Sequence, residues 1–358
     1  MSDRTLVIAE AGVNHNGSRE LALELVDVAA DAGADVVKFQ TFNAGQLVTA
    51  TAEKAVYQVA NTRDDGPQLS MLSQLELSTA DHEALSDRAR SRGIRFMSTP
   101  FDVASLQFLS KFDMPAIKIA SGDITCAPLL LQAARLRKPL IVSTGMSTLS
   151  DIEQALGVLA FGLTTDRDPV GRADFSAAYL APAGRRALES HVSLLHCVTQ
   201  YPAPARFVNL RAMDTIAVAF GLPVGYSDHT VGTEVVIAAV ARGARIIEKH
   251  FTLDRNLPGP DHAASLEPEE LSYMVHAIRE VEDALGAALK QPTDAELLNM
   301  AVARRSIVAA RRIAAGELLT FEMLAAKRPG LGISPMQVWD LLGRPVERAY
   351  EADEAIDP

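Results

Sequence analysis

Glu10, Lys38, Thr99, Lys118, Ser121, Asp123, Ser143, Ser227, His229, Glu248 and His250 all sit at or just beyond the ends of short apolar runs. Buried ionisable groups are costly unless they are paired or bind a ligand. So many of them at run ends points to a polar active site. In the run "IIEKH" (246–250), a period of two puts Ile246, Glu248 and His250 on one face and Lys249 on the other. In "GYSDH" (225–229), Ser227 and His229 share a face in the same way. Two imidazoles presented by neighbouring strands suit Mn²⁺, Co²⁺ or Zn²⁺. Lys38 and Lys118 lie inside apolar runs. Three readings stay open for them: a Schiff-base nucleophile, a clamp on phosphate helped by Thr99, Ser121, Ser143 and Ser227, or an ammonium that snorkels to the rim or pairs with a carboxylate. Cys126 and Cys197 read as small packing residues. Trp339 reads as core, and the acidic end "EADEAIDP" as a solvated tail.

The elements that must carry these residues repeat one theme. Apolar strands are expected at 5–9, 35–39, 94–98, 116–120, 139–143, 192–196, 222–226 and 245–249, with amphipathic helical stretches between them. Gly33, Gly93 and Gly243 stand where such helices would stop before the next strand. Eight strand–helix units imply a closed (β/α)8 barrel, a TIM barrel, whose chemistry sits at the C-terminal ends of the strands. The alternative, an open doubly wound sheet, lacks its usual GxGxxG after a strand.

Two connections break the rhythm. Residues 41–78 form a long polar link after the second strand, and residues 161–190 insert before the sixth. Such loops either shape substrate access or decorate the surface. After the barrel domain (1–285) comes a connector (286–300). A small β-rich domain (301–358) follows, whose core is marginal alone and would gain from docking on a neighbour. A net charge of −11 argues against a general nucleic-acid binder, so an anionic substrate needs a local basic pocket. No apolar run is long enough for a membrane span, the N-terminus does not read as a signal peptide, and two cysteines without CxxC fit a reducing cytoplasm.

The ordered motifs "IAEAGVNHNGS", "ADVVKFQTF", "STPFD", "KIASGDIT", "STGMST", "LLHCVTQYPAP", "GYSDHT" and "IEKHFTLDRNLPGPDH" resemble the sialic acid synthase family, which includes legionaminic acid synthases. "KRPGLGIS" in the tail resembles the SAF, or antifreeze-like, domain that follows the barrel there. The resemblance implies condensation of phosphoenolpyruvate with N-acetylmannosamine. The runner-up acceptor is 2,4-diacetamido-2,4,6-trideoxymannose. It also implies that His229 and His250 hold Mn²⁺, with Mg²⁺ or Co²⁺ as alternatives. Lys38, Thr99, Lys118, Ser121, Ser143 and Ser227 would hold phosphoenolpyruvate. Glu10, Tyr201 and Asp261 would contact the sugar, and Arg328 would reach it from the other subunit of a domain-swapped homodimer. Asp123 and Glu248 are the candidate catalytic carboxylates, with Glu10 beside them. The family commonly has Glu-Ile-Thr-Asn where this chain has Asp123-Ile-Thr-Cys126, so the reach of the shorter carboxylate is in question. A Schiff-base aldolase and a carbohydrate-binding protein are the readings from other classes.

Overall fold

The computed structural model describes residues 4–357; the first three residues of the N-terminal stretch and the final proline lie outside the described residues. Contacts divide the chain into two compact units, one ending at Gly286 and one beginning at Ala287.

The first unit holds eight parallel strands: β1 (Leu6–Gly12), β2 (Val36–Thr41), β3 (Arg95–Pro100), β4 (Ile117–Ile119), β5 (Leu140–Ser143), β6 (Val192–Cys197), β7 (Val224–Asp228) and β8 (Ile246–His250). Their order is β3-β2-β1-β8-β7-β6-β5-β4, so the first and last strands pair and the sheet curls into a TIM-like barrel. The strands read as near-continuous apolar runs because both faces are covered, one by the barrel interior and one by helices. Val7, Ile8, Val36, Val37, Ile119, Leu194 and Ile247 are all essentially inaccessible. Gly33, Gly93 and Gly243 adopt the positive φ that a side chain would disfavour.

The two irregular connections go different ways. The 161–190 stretch begins inside helix Leu149–Thr164 and then forms helices Arg172–Leu180 and Pro182–His191. Phe175 packs edge-on against buried Phe161, 5.5 Å between centroids. This stretch leads into the N-terminal end of β6, so it decorates the outer helical layer rather than the face that carries chemistry. The 41–78 connection follows the C-terminal end of β2 and folds into three short helices, Ala44–Leu47, Val56–Thr62 and Gln68–Ser73. Its Phe42, Met71 and Leu75 form a small core with Val13 from the loop after β1. Asn61 Nδ2 ties the connection down by donating to Pro260 O at 2.6 Å, in the loop after β8.

The second unit opens with helix Asp294–Ala303, so the stretch read as a connector carries structure of its own. Antiparallel strands β9 (Ser306–Ala309) and β10 (Leu324–Lys327) follow. The core here is mostly aliphatic, with Ile307, Ile313, Leu319, Ile333, Val346 and Ile356. Trp339 is not part of it and is 70% exposed. It lies on the four-residue helix Val338–Leu341, whose end residues face the core and leave the middle turned out. The acidic end is not a free tail either. Ile356 is buried, and Arg348 holds Asp357 at 2.6 Å and Glu354 at 2.5 Å.

Candidate active site

The barrel brings most of the expected residues to one end. Register explains why: Glu10 pairs with Lys38 across β1 and β2 and with His250 across β1 and β8, while Ser227 pairs with Glu248 across β7 and β8. Alternation then turns Glu10, Lys38, Ser227 and Glu248 to the interior together. Lys38 Nζ lies 2.5 Å from Glu10 Oε2 and 3.4 Å from Glu248 Oε2, and donates to Thr99 Oγ1 at 2.8 Å. Lys118 Nζ lies 3.5 Å from Glu248 Oε1, which also accepts from Ser227 Oγ at 2.8 Å. Ser143 Oγ is buried and has no protein partner. Ser121 Oγ accepts from the Gly145 amide at 3.0 Å, which places it beside the end of β5. Two ammoniums and several hydroxyls, groups that can bind an anion, converge here, with carboxylates holding the cations in place.

The electrostatics separate the carboxylates by role. Burial works against the Glu248 carboxylate, but Lys118 and Lys38 prevail and hold it below the usual range. Burial pushes Glu10 up to about 7, with Lys38 opposing and Glu248 adding repulsion. Asp123 is pushed up to about 6 by burial, Lys118 opposing; its Oδ2 is buried and unpartnered. Burial lowers Lys118, which Glu248 only partly offsets. Burial tends to lower Lys38 as well, but Glu10 and Glu248 together raise it. One carboxylate is therefore firmly ionised, and two sit in the range where proton transfer near neutrality is feasible.

The two imidazoles also meet. His229 and His250 have ring centroids 5.4 Å apart. His229 Nδ1 lies 2.7 Å from Val198 O, which makes that nitrogen a donor and leaves Nε2 as the one able to ligate. His250 Nδ1 is buried without a hydrogen-bond partner, 3.8 Å from Asp261 Oδ2, and burial followed by repulsion from His229 keeps the ring neutral. Burial works against a charge on His229, but Cys197 and the Val198 carbonyl raise its pKa to about 8. His229 must therefore release a proton to bind a cation, whereas His250 offers its orphaned nitrogen directly. Two such imidazoles suit a divalent ion, the other positions being left to water or substrate. Among the described residues no third His, Cys, Asp or Glu completes a metal cluster with them. Tyr201 stacks on His229 at 4.0 Å, and Tyr57, from the 41–78 connection, stacks on Tyr201 at 4.9 Å.

Beside this centre opens a cavity of about 420 Å³. Gln40, Gln58, Gln68, Asp123, Tyr201 and Asp261 line it together with Phe42, Leu47, Leu72 and Phe101. Burial raises Asp261 to about 6, His229 opposing.

Some strand-end residues serve structure instead. Ser98 contacts Thr41 at 2.6 Å, and Thr41 contacts His82 at 2.7 Å, behind the barrel wall. His196 Nε2 bonds Val208 O. Asn14 ties the loop after β1 to Phe251 O and Ser265 Oγ. Arg328 is exposed on the second unit. Cys126, read as packing, is exposed, because it precedes helix Ala127–Arg135 rather than lying within the core. Cys197 is buried, with Sγ 3.8 Å from His229 Nδ1. Sequence reasoning missed Tyr57, and nothing local distinguishes it from any tyrosine in a polar loop. Gln40, two residues after Lys38 along β2, donates from Nε2 to Glu10 Oε1 at 3.2 Å.

Residues 25–290 match the model of the NeuB family and residues 304–358 that of the SAF domain. Over 353 residues, 99% of each chain, the sequence is 44% identical to N,N'-diacetyllegionaminic acid synthase of Campylobacter jejuni. Over 337 residues, 94% of this chain and 89% of the relative, it is 46% identical to the protein of the same name from Legionella pneumophila. A solved structure, N-acetylneuraminic acid synthetase from Leptospira borgpetersenii in complex with citrate, superposes with a TM-score of 0.66 at 32% identity, covering 83% of this chain and 90% of that one. With both segments matched and the similarity spanning nearly the whole length, the chain belongs to the NeuB family.

Proposed function

We propose that this barrel condenses phosphoenolpyruvate with 2,4-diacetamido-2,4,6-trideoxymannose and water, giving N,N'-diacetyllegionaminic acid and phosphate. The observation that carries the choice of acceptor is the 44–46% identity to two synthases of that name, against 32% to an N-acetylneuraminic acid synthetase. N-acetylmannosamine, the leading acceptor on motifs alone, thereby becomes the second reading. The apolar residues in the cavity's mixed lining support the same order. A 6-deoxy sugar presents a methyl group where N-acetylmannosamine presents a hydroxyl. Against Leu47, Leu72 and Phe101 a buried hydroxyl without a partner costs about 1–3 kcal/mol, whereas each buried methyl group gains about 0.8 kcal/mol.

In this reading Lys38, Lys118, Thr99, Ser121, Ser143 and Ser227 hold the phosphate and carboxylate of phosphoenolpyruvate. His229 and His250 would hold a divalent ion, Mn²⁺ by preference, which would supply Lewis-acid polarisation of the acceptor's aldehyde. Carbon 3 of phosphoenolpyruvate bonds to the aldehyde carbon, and Glu10 delivers a proton to the former aldehyde oxygen. Carbon 2 becomes electron-poor beside the Glu248 carboxylate, which stays ionised and faces it. Asp123 takes a proton from the water that adds there. The carbon 2 hydroxyl then gives its proton to the departing phosphate as the C–O bond breaks, the proton taken by Asp123 restores the acid form of Glu10 through solvent, and the 2-keto acid remains. No lysine adduct is needed, so the paired ammoniums act as a clamp. Asp261 and Tyr201 meet the sugar, and Arg328 of a second copy completes its site. The free thiols Cys126 and Cys197 fit a cytoplasmic enzyme.

The test is an acceptor screen with purified protein, phosphoenolpyruvate and Mn²⁺, read by phosphate release and product mass. A kcat/KM at least about 10-fold higher for the diacetamido sugar is expected, since the methyl gain of about 0.8 kcal/mol and the hydroxyl penalty of about 1–3 kcal/mol together exceed the roughly 1.4 kcal/mol of a tenfold preference. Preference for N-acetylmannosamine would replace the acceptor. Phosphate release that survives exhaustive chelation would remove the metal.

A further inference from the structure

The backbone ladder between β7 and β8 ends at the pair Asp228↔Lys249, one residue short of both His229 and His250. The two imidazoles therefore lie just beyond the last β7–β8 pairing, although on its other side His250 still pairs with Glu10 of β1. What continues the connection is a side-chain cluster on the opposite face of the strands. Lys249 Nζ lies 2.6 Å from Asp228 Oδ2, and both side chains are wholly inaccessible. Lys249 Nζ also donates to Thr230 O. Asp228 Oδ1 accepts from Tyr226 Oη at 2.8 Å and from the Thr230 amide at 3.1 Å, and Asp228 Oδ2 accepts from Thr230 Oγ1 at 2.9 Å. His229 is thus bracketed: the residue before it and the residue after it are bound to each other and to the residue that precedes His250.

We propose that Asp228 and Lys249 form a staple that positions His229 and His250 at the spacing one divalent ion requires. It rests on the reading of those two histidines as the metal ligands. Neither staple residue touches substrate or metal; both are positioning residues, acting through the backbone on either side of the imidazoles. Stability alone does not explain the pair, because a buried ion pair gives little net stabilisation over apolar residues of the same size. What it does give is one fixed geometry, since each charge must meet its partner or be left buried alone. Groups behind a ligand shell commonly tune metal affinity by about 10–100-fold, and here the adjustment would be transmitted across one peptide bond on each strand.

The test is a cobalt titration of full-length wild type and of the double variant Asp228→Asn/Lys249→Met. The asparagine carbonyl can still accept from Tyr226 and Thr230, while the cross-strand clasp and both charges are gone. The expected result, well below the melting temperature, is a Co²⁺ Kd raised about 10–100-fold and an altered visible absorption band of the bound ion. A lower melting temperature with wild-type Kd and wild-type band assigns the pair to stability alone and overturns the proposal. If the double variant does not fold, Asp228→Asn alone is read in the same titration against the same two outcomes. Absence of cobalt binding in the wild type would instead withdraw the histidines as ligands, and the staple's role with them.

Discussion

Lys38 Nζ lies 2.5 Å from Glu10 Oε2, with both side chains at most 3% exposed. The contact ties β1 to β2, and Glu248 shares the same ammonium at 3.4 Å. Removing the cation leaves buried Glu10 without its ion-pair partner and Glu248 paired with Lys118 alone. Breaking a buried pair from one side costs about 3–5 kcal/mol. Lys38→Met should therefore weaken phosphoenolpyruvate binding by roughly 10²–10³-fold. Calorimetric titration of phosphoenolpyruvate checks this, with circular dichroism as the control for folding. An affinity within threefold of wild type would remove Lys38 from the proposed anion site.

Gly145 packs so closely that a Cβ there would lie 2.3 Å from Thr199 Oγ1 and 2.7 Å from Ser121 Oγ. Its amide also donates to Ser121 Oγ. Gly145→Ala must push both hydroxyls aside. The expected outcome is a KM for phosphoenolpyruvate raised at least about 10-fold, the cost of one displaced hydrogen bond to an anion, with a smaller change in the sugar KM. Steady-state kinetics with each substrate varied in turn makes the comparison.

Asp123 titrates at about 6 in the fold against an ordinary value of 3.8, burial being the main cause. The folded state thus holds this proton more tightly than the unfolded chain does. Its contribution to stability is complete below about pH 3.8 and is lost as the pH rises through about 6. Asp123→Asn cannot ionise and should flatten the melting-temperature profile across that window. In catalysis the sign is opposite: a base that must be ionised gives a rate rising through about pH 6, and the variant should lose that limb together with most of kcat. Unchanged profiles in both measurements would free Asp123 from the proposed water-activating role.

Arg328 is exposed on the second unit. If a second copy contributes it to the acceptor site, Arg328→Ala should raise the sugar KM by about 10-fold or more while changing phosphoenolpyruvate much less, since a charge-assisted hydrogen bond contributes about 1.5–3 kcal/mol. Deleting 287–358 should reproduce the same pattern. A normal sugar KM in both would confine the active site to the barrel.

The barrel was legible because its strands are short, apolar and evenly spaced, and the observed strands begin within two residues of those expected. Parity along β7 and β8 was enough to place His229, Glu248 and His250 on the interior. The same parity turned Lys249 outward but said nothing of its burial. In a parallel barrel outward means toward the helices, and Lys249 is among the most deeply buried side chains of all. Its partner Asp228 is its neighbour only across the sheet, a relation no linear pattern displays. Tyr57 was hidden for a related reason: its stacking on Tyr201 depends on how the 41–78 connection folds back over the mouth. Trp339 misled because size alone suggested core, while a four-residue helix has room to turn only its ends inward.

The alternation of charge along β8 has a consequence for how the barrel closes. A slip of one residue would carry Lys249 into the barrel interior beside Lys38 and Lys118, three cations in one buried space. It would also turn Glu248 or His250 toward Asp228 and the helices. Every one-residue error in this strand thus sets like charges together or strands an ion in an apolar layer. The groups assembled for chemistry also serve as an error check on assembly: the wrong barrel is electrically forbidden before it is badly packed.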